Sequence, residues 1–154
     1  MQITSRFTVA LHVFACVEAL KNQRRATSEL LAESVGTNPV VIRKLLSQLS
    51  KAGLIVVARG TGGVEIVKPL SQITFYDVYR AVEPFEGDSL FHFHERPCPE
   101  CPVGRNVHKL LDVKLETIQR AMEEEMKRHT IAELVANLRG LLEQENCGES
   151  SNDS

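Results

Sequence analysis

Apolar positions recur at helical spacing from the start of the chain. Phe7, Ala10, Leu11, Phe14 and Val17 share one face of residues 5–20, with Val9, Val13 and Cys16 beside them, which predicts a helix buried over a wide arc. Cys16 reads there as a small core residue. After a polar break at residues 21–26, Thr27 or Ser28 is placed to cap a short helix that carries Leu30, Leu31 and Val35 and ends at Gly36. Thr37 and Asn38 can cap the next one, whose first residue, Pro39, loses nothing by lacking an N–H. Its Ile42, Leu45, Leu46 and Leu49 fall at i, i+3, i+4 and i+7 and face a core, leaving Val40, Arg43, Lys44, Ser47 and Lys51 on the other side.

Two short helices joined by a tight turn form a helix-turn-helix. Gly53 ends the second, the β-branched-rich runs 54–58 and 64–67 predict two strands, and Arg59-Gly60-Thr61-Gly62-Gly63 supplies the turn between them. A hairpin directly after a recognition-type helix is a wing. The glycine run has neither P-loop spacing nor its Lys-Ser/Thr ending, so nucleotide binding is not indicated. Thr74 and Asp77 then predict a capping box for a helix closed by Pro84, and a proline-rich stretch follows. From residue 104 a long pattern sets in: Val107, Leu111, Leu115, Ile118, Met122 and Met126 form one seam on a helix about 35 Å long. That seam exceeds what a small domain needs to cover, so part of it should pack on a second copy; packing on its own domain is the alternative. Thr130 and Glu133 start a last amphipathic helix, and residues 144–154, with Cys147, read as a disordered tail.

Composition narrows the class. The 154 residues are 43% hydrophobic and 25% charged, which excludes collagen-like, wholly disordered and disulfide-scaffold chains. Net charge is only -2, yet residues 1–69 carry nine Lys/Arg against four acids, whereas residues 70–154 carry nine against sixteen. A basic half joined to an acidic half suggests a polyanion-binding module attached to a part with another task. Neither an export signal nor a membrane-length apolar run is seen, so a cytoplasmic protein with reduced thiols is expected.

The candidate DNA-reading residues follow from the pattern. Thr37, Asn38, Val40, Val41, Arg43, Lys44 and Ser47 would face a major groove, cations serving phosphates or guanine acceptors and valines the thymine methyls. Arg59, among residues too small to obstruct it, would enter a minor groove, with Gly60, Thr61, Gly62 and Gly63 shaping the wing. A second constellation is His92-x-His94-x3-Cys98-x2-Cys101, with His108 downstream. Its spacing leaves three readings open: a reversible disulfide of Cys98 and Cys101, a zinc site completed by histidines, or loop residues that merely pack. No nucleophile motif occurs and the acids of the second half converge on nothing, so an enzyme is not expected. The non-DNA alternative is a redox or metal-binding interaction protein whose winged fold serves protein contacts.

The run Leu54-Ile55-Val56-Val57-Ala58 with its Arg-Gly-Thr-Gly-Gly turn, the start Ile3-Thr4-Ser5 and the run Cys101-Pro102-Val103-Gly104-Arg105-Asn106 resemble the Rrf2 family of bacterial transcription regulators, which includes the IscR, NsrR and CymR types. The last run is closest to a YwnA-like subgroup. The resemblance covers nearly the whole chain to about residue 140. It implies a dimeric repressor that binds double-stranded operator DNA through the winged helix-turn-helix and crosses two long helices at its interface. It also implies no iron–sulfur cluster here, because the cluster-binding relatives' earlier cysteines would fall near Ser89 and Glu95 and their histidine at Gly104. Arg43 and Lys44 stand where the cluster-controlled type has an acid and an amide, so the operator should differ.

The expectation is therefore a mainly α chain: a winged helix-turn-helix with a two-stranded β-wing over residues 1–83, a Cys/His sensing loop over 84–103, and dimerisation helices over 104–143. Val107, Leu111, Leu115, Ile118 and Met122 would form the dimer interface.

Overall fold

Thr4 opens the first helix by accepting the Arg6 N–H on its side-chain oxygen, 3.3 Å away, so that α1 runs over Ser5–Leu20. The computed structural model describes residues 3–60, 62–83, 90–91 and 94–149. α2 (Ser28–Val35) is capped by Thr27 and ended by Gly36 in the left-handed conformation, φ 78°, whose N–H returns to the carbonyls of Ala32 and Glu33. α3 (Pro39–Lys51) begins on the Asn38 cap with Pro39 in the first turn. Strands β1 (Ile55–Val57) and β2 (Val64–Ile66) pair antiparallel, Ile55 opposite Ile66 and Val57 opposite Val64. A short 3-10 turn at Leu70–Gln72 leads into α4 (Phe75–Val82), whose capping box between Thr74 and Asp77 is complete. Two long helices follow, α5 (Val107–Arg128) and α6 (Ile131–Glu149).

The core lies where α1 to α4 and the hairpin meet. Phe14, Leu31, Ile42, Leu45, Leu49, Ile55, Ile73, Val78 and Tyr79 are all buried there, and Phe7 meets Tyr79 edge to face at 5.8 Å between ring centroids. The Ile3-Thr4-Ser5 start has a structural use: buried Glu83, at the end of α4, accepts from the Thr4 N–H at 3.0 Å and its hydroxyl at 2.9 Å. These bonds hold the beginning of α1 to the exit of α4, and they satisfy a carboxylate that burial would otherwise penalise heavily.

Two boundaries differ from the sequence expectation. The division at residue 83 leaves the last helix outside the DNA-binding unit, yet Ile131 and Val135 of α6 are buried in the same core. Thr130 bridges Thr74, and the Ile131 N–H donates to the Ile73 carbonyl at 2.9 Å, so α6 is stitched to the start of α4. The second difference is the tail. α6 runs six residues past Glu143 to Glu149, because extending an established helix costs far less than nucleating one and no proline intervenes. Residues 150–154 lie outside the described part. Among the described residues no helix is long and apolar enough to cross a membrane.

Candidate nucleic-acid interface

The recognition helix is divided lengthwise. Ile42, Leu45, Leu46 and Leu49 of α3 are buried, while Val40 is 64% and Val41 47% exposed and Arg43, Lys44 and Ser47 also face outward. Hydrophobic residues that could have joined a core thus stand in water on the side that carries the cations. Thr37 is half-buried; Asn38 is exposed, but its side-chain oxygen accepts the Val40 N–H at 2.8 Å and serves the helix first.

The wing is fastened beside this helix. The Ala58 N–H donates to the Gly63 carbonyl and the Val64 N–H to the Ala26 carbonyl, both at 3.0 Å, tying β2 to the segment that enters α2. Gly62 passes so close to Ala58 that a Cβ there would lie 2.1 Å from the alanine Cβ, which explains a glycine at that point of the turn. Arg59 and Gly60 are exposed at the tip and Gly63 is buried at its base. Thr61 lies outside the described residues.

Between α3, the wing and the start of α2 runs an open groove of about 720 Å³, walled by Thr27, Ser28, Glu29, Arg43, Ser47 and Lys51 among others. Ser28 and Glu29 are absent from the set named by the sequence. They belong to a cap pattern that is legible locally, but nothing local tells that the cap faces Arg43 fourteen residues on. The Arg43 Nη2 donates to the Glu29 Oε1 at 2.8 Å, and this bond, more than any other influence, holds the Glu29 carboxyl below the usual carboxylate range.

The second constellation is only partly gathered. Cys98 and Cys101 are both exposed, and the N–H groups of Gly104 first and Val103 next stabilise the Cys101 thiolate, lowering its pKa. Gly104 is enforced by a close approach: a Cβ there would stand 2.3 Å from the Cys98 carbonyl oxygen. The rings of His94 and His108 stack with centroids 6.2 Å apart, and the His108 Nδ1 is 3.9 Å from Asp112 Oδ1. His92 lies outside the described residues. Among those described, no three His, Cys, Asp or Glu side chains come together to hold one ion. Cys16 is half-buried against the core as expected, its thiol donating to the Ser34 hydroxyl at 3.0 Å.

The long seam splits into two edges. Leu115, Met122 and Met126 are half-buried, whereas Leu111 and Ile118 are exposed, as are Leu110 and Val113. Not one residue of α5 is fully buried within the protomer.

A model of the Rrf2 family, described as an iron-dependent transcriptional regulator, matches residues 3–137. The chain belongs to the Rrf2 family of transcriptional regulators. This Rrf2 protein is 38% identical over 136 residues to a protein of Bacillus subtilis (strain 168) named as the HTH-type transcriptional regulator YwnA, covering 88% of this chain and 98% of that one. Its fold matches a transcriptional regulator from Lactobacillus plantarum with a TM-score of 0.72 at 26% identity, over 94% of this chain and 98% of that one. A DNA-binding protein of known crystal structure matches with a TM-score of 0.67 at 33% identity, over 84% and 98% of the two chains. The family and its relatives are regulators of transcription, not enzymes. In the loop of this Rrf2 chain Cys98 and Cys101 are exposed and Gly104 packs against the Cys98 backbone.

Proposed function

We propose that this regulator works as a cytoplasmic homodimer that binds an inverted-repeat operator and represses transcription from it. The division of α3 carries the reading: its apolar row is spent on the core, and Val40, Val41, Arg43, Lys44 and Ser47 stand exposed, as does the wing's Arg59. In this reading Thr37 and Asn38 lie at the mouth of the major groove, and Gly60, Thr61, Gly62 and Gly63 bring the wing to the minor groove. Two copies of the head, joined through α5, would meet half-sites about 10 bp apart or a multiple of that.

The effector reading is a thiol switch without an iron–sulfur cluster or zinc. The backbone N–H groups at Cys101 favour the thiolate, which is the nucleophile of disulfide exchange. The Cys101 thiolate attacks a low-molecular-weight disulfide and expels one thiolate; the Cys98 thiolate then attacks Cys101, expels the second, and closes the intramolecular bridge.

Fluorescence anisotropy on a duplex selected from a random library tests this, with protein reduced by dithiothreitol or oxidised by glutathione disulfide. Oxidation is expected to change affinity by roughly 5- to 150-fold, the usual span of such couplings. Cys98→Ser should respond no more than its reduced parent. Because its pKa is lowered, Cys101 is thiolate at lower pH than an ordinary thiol, so in Cys98→Ser it should be alkylated by iodoacetamide faster than glutathione at pH 7. Equal affinity in both redox states would remove the switch. Loss of binding on treatment with a zinc chelator would replace it with a metal.

A further inference from the structure

The pair between Arg43 and Glu29 sits in the groove where DNA would lie, and it sets a carboxylate against a cation of that face. Both carboxylate oxygens are engaged: Oε1 takes the Arg43 Nη2 at 2.8 Å and Oε2 takes the Ser28 hydroxyl at 3.2 Å. Glu29 is in the first turn of α2, where the helix dipole favours a carboxylate, so its position is set by α2 and not by Arg43 alone. Both partners remain largely exposed, at 55% and 64% of their side-chain surface, so the pair does little for stability. Its consequence has to be sought at the surface.

We propose that Glu29 is a specificity-determining residue of this regulator, acting by occupying Arg43 so that bare DNA backbone gains little from that cation. The inference rests on the base-reading role of α3 proposed above.

Binding to arbitrary sequence is driven by cations that neutralise phosphates and release counterions. A phosphate approaching Arg43 meets a neutral pair and must displace a carboxylate held by Ser28. Guanidinium carries five N–H donors, and Glu29 uses one of them. The others stay free of Glu29 to reach the acceptors of a base edge, and the bond from Nη2 restricts where the guanidinium lies. Glu29 thus weakens arbitrary binding while leaving, or improving, the geometry for the correct base. Arg43 performs the contact, and Glu29 is a positioning residue.

The test compares wild type, Glu29→Gln, Arg43→Ala and the double variant by fluorescence anisotropy across a salt series. The probes are a duplex selected by wild type from a random library and a mixed-sequence duplex of equal length. Glu29→Gln, of nearly the same shape, should bind the mixed duplex on the order of tenfold tighter at low salt, with the log–log salt slope steeper by about 0.9 per protomer. The selected duplex should gain less or lose, so that discrimination falls severalfold. In the Arg43→Ala background the same change should leave the slope unaltered. An unchanged slope for Glu29→Gln, or equal gains on both duplexes, would overturn the proposal while leaving DNA reading intact. Steepening that persists without Arg43 would mean direct repulsion by the carboxylate and would overturn it as well. Wild type that binds both duplexes alike would instead take down the base-reading role of α3 on which the proposal stands.

Discussion

Changing Leu111 and Ile118 together to glutamate is expected to give a folded monomer that binds operator DNA about 100-fold more weakly than the parent, or worse. Neither residue belongs to the protomer's own core: Ile118 is 55% and Leu111 37% exposed. Leu115 and Met122, half-buried within the protomer, are left untouched. In the homodimer reading the exposed edge is covered by its counterpart, and four buried glutamates facing one another would abolish that contact. A monomer loses the advantage of the second reading head, whose attachment is intramolecular once the first has bound. Sedimentation equilibrium reads the mass and anisotropy the affinity. A variant that keeps twice the chain mass would place the interface elsewhere.

Leu45→Ala is expected to destabilise the fold by about 2–5 kcal/mol, the range for emptying a buried leucine site, whereas Arg43→Ala two residues earlier should change stability by less than about 1 kcal/mol. Leu45 is 2% exposed in the centre of the core, while Arg43 is held only by an exposed ion pair. For a chain of this length the leucine variant should melt roughly 5–15 °C lower at the same protomer concentration. Calorimetry of the two variants therefore checks which side of α3 is structural. Equal melting temperatures for Leu45→Ala and wild type would mean that the helix is not seated as described.

The elements were legible because their ends carry local chemistry. Thr27, Asn38 with Pro39, Thr74 with Asp77, and Thr130 with Glu133 each announce a helix within four residues, and the period of Ile42, Leu45, Leu46 and Leu49 settles which face turns inward. What the pattern could not supply are relations between distant segments. The Thr74 to Thr130 bridge that brings α6 into the core joins residues 56 apart. The Glu29 to Arg43 pair depends on the angle between two helices, which no spacing rule reports. The same limit applied to the loop: the thiol pair was visible as a spacing, but the backbone N–H groups at Cys101 and the close approach of Gly104 to Cys98 arise only once the chain is folded. Along α5 the spacing gives the apolar seam but not which of its residues the protomer half-covers and which it leaves open.

The most direct test of DNA reading by α3 and the wing is a salt series of anisotropy titrations with wild type and Arg59→Ala on the selected and the mixed-sequence duplex. Wild type should prefer the selected duplex, lose affinity steeply as salt rises, and lose roughly 1–3 kcal/mol of binding when Arg59 is truncated. Affinity that is indifferent to sequence, or unchanged by Arg59→Ala at every salt concentration, would contradict it.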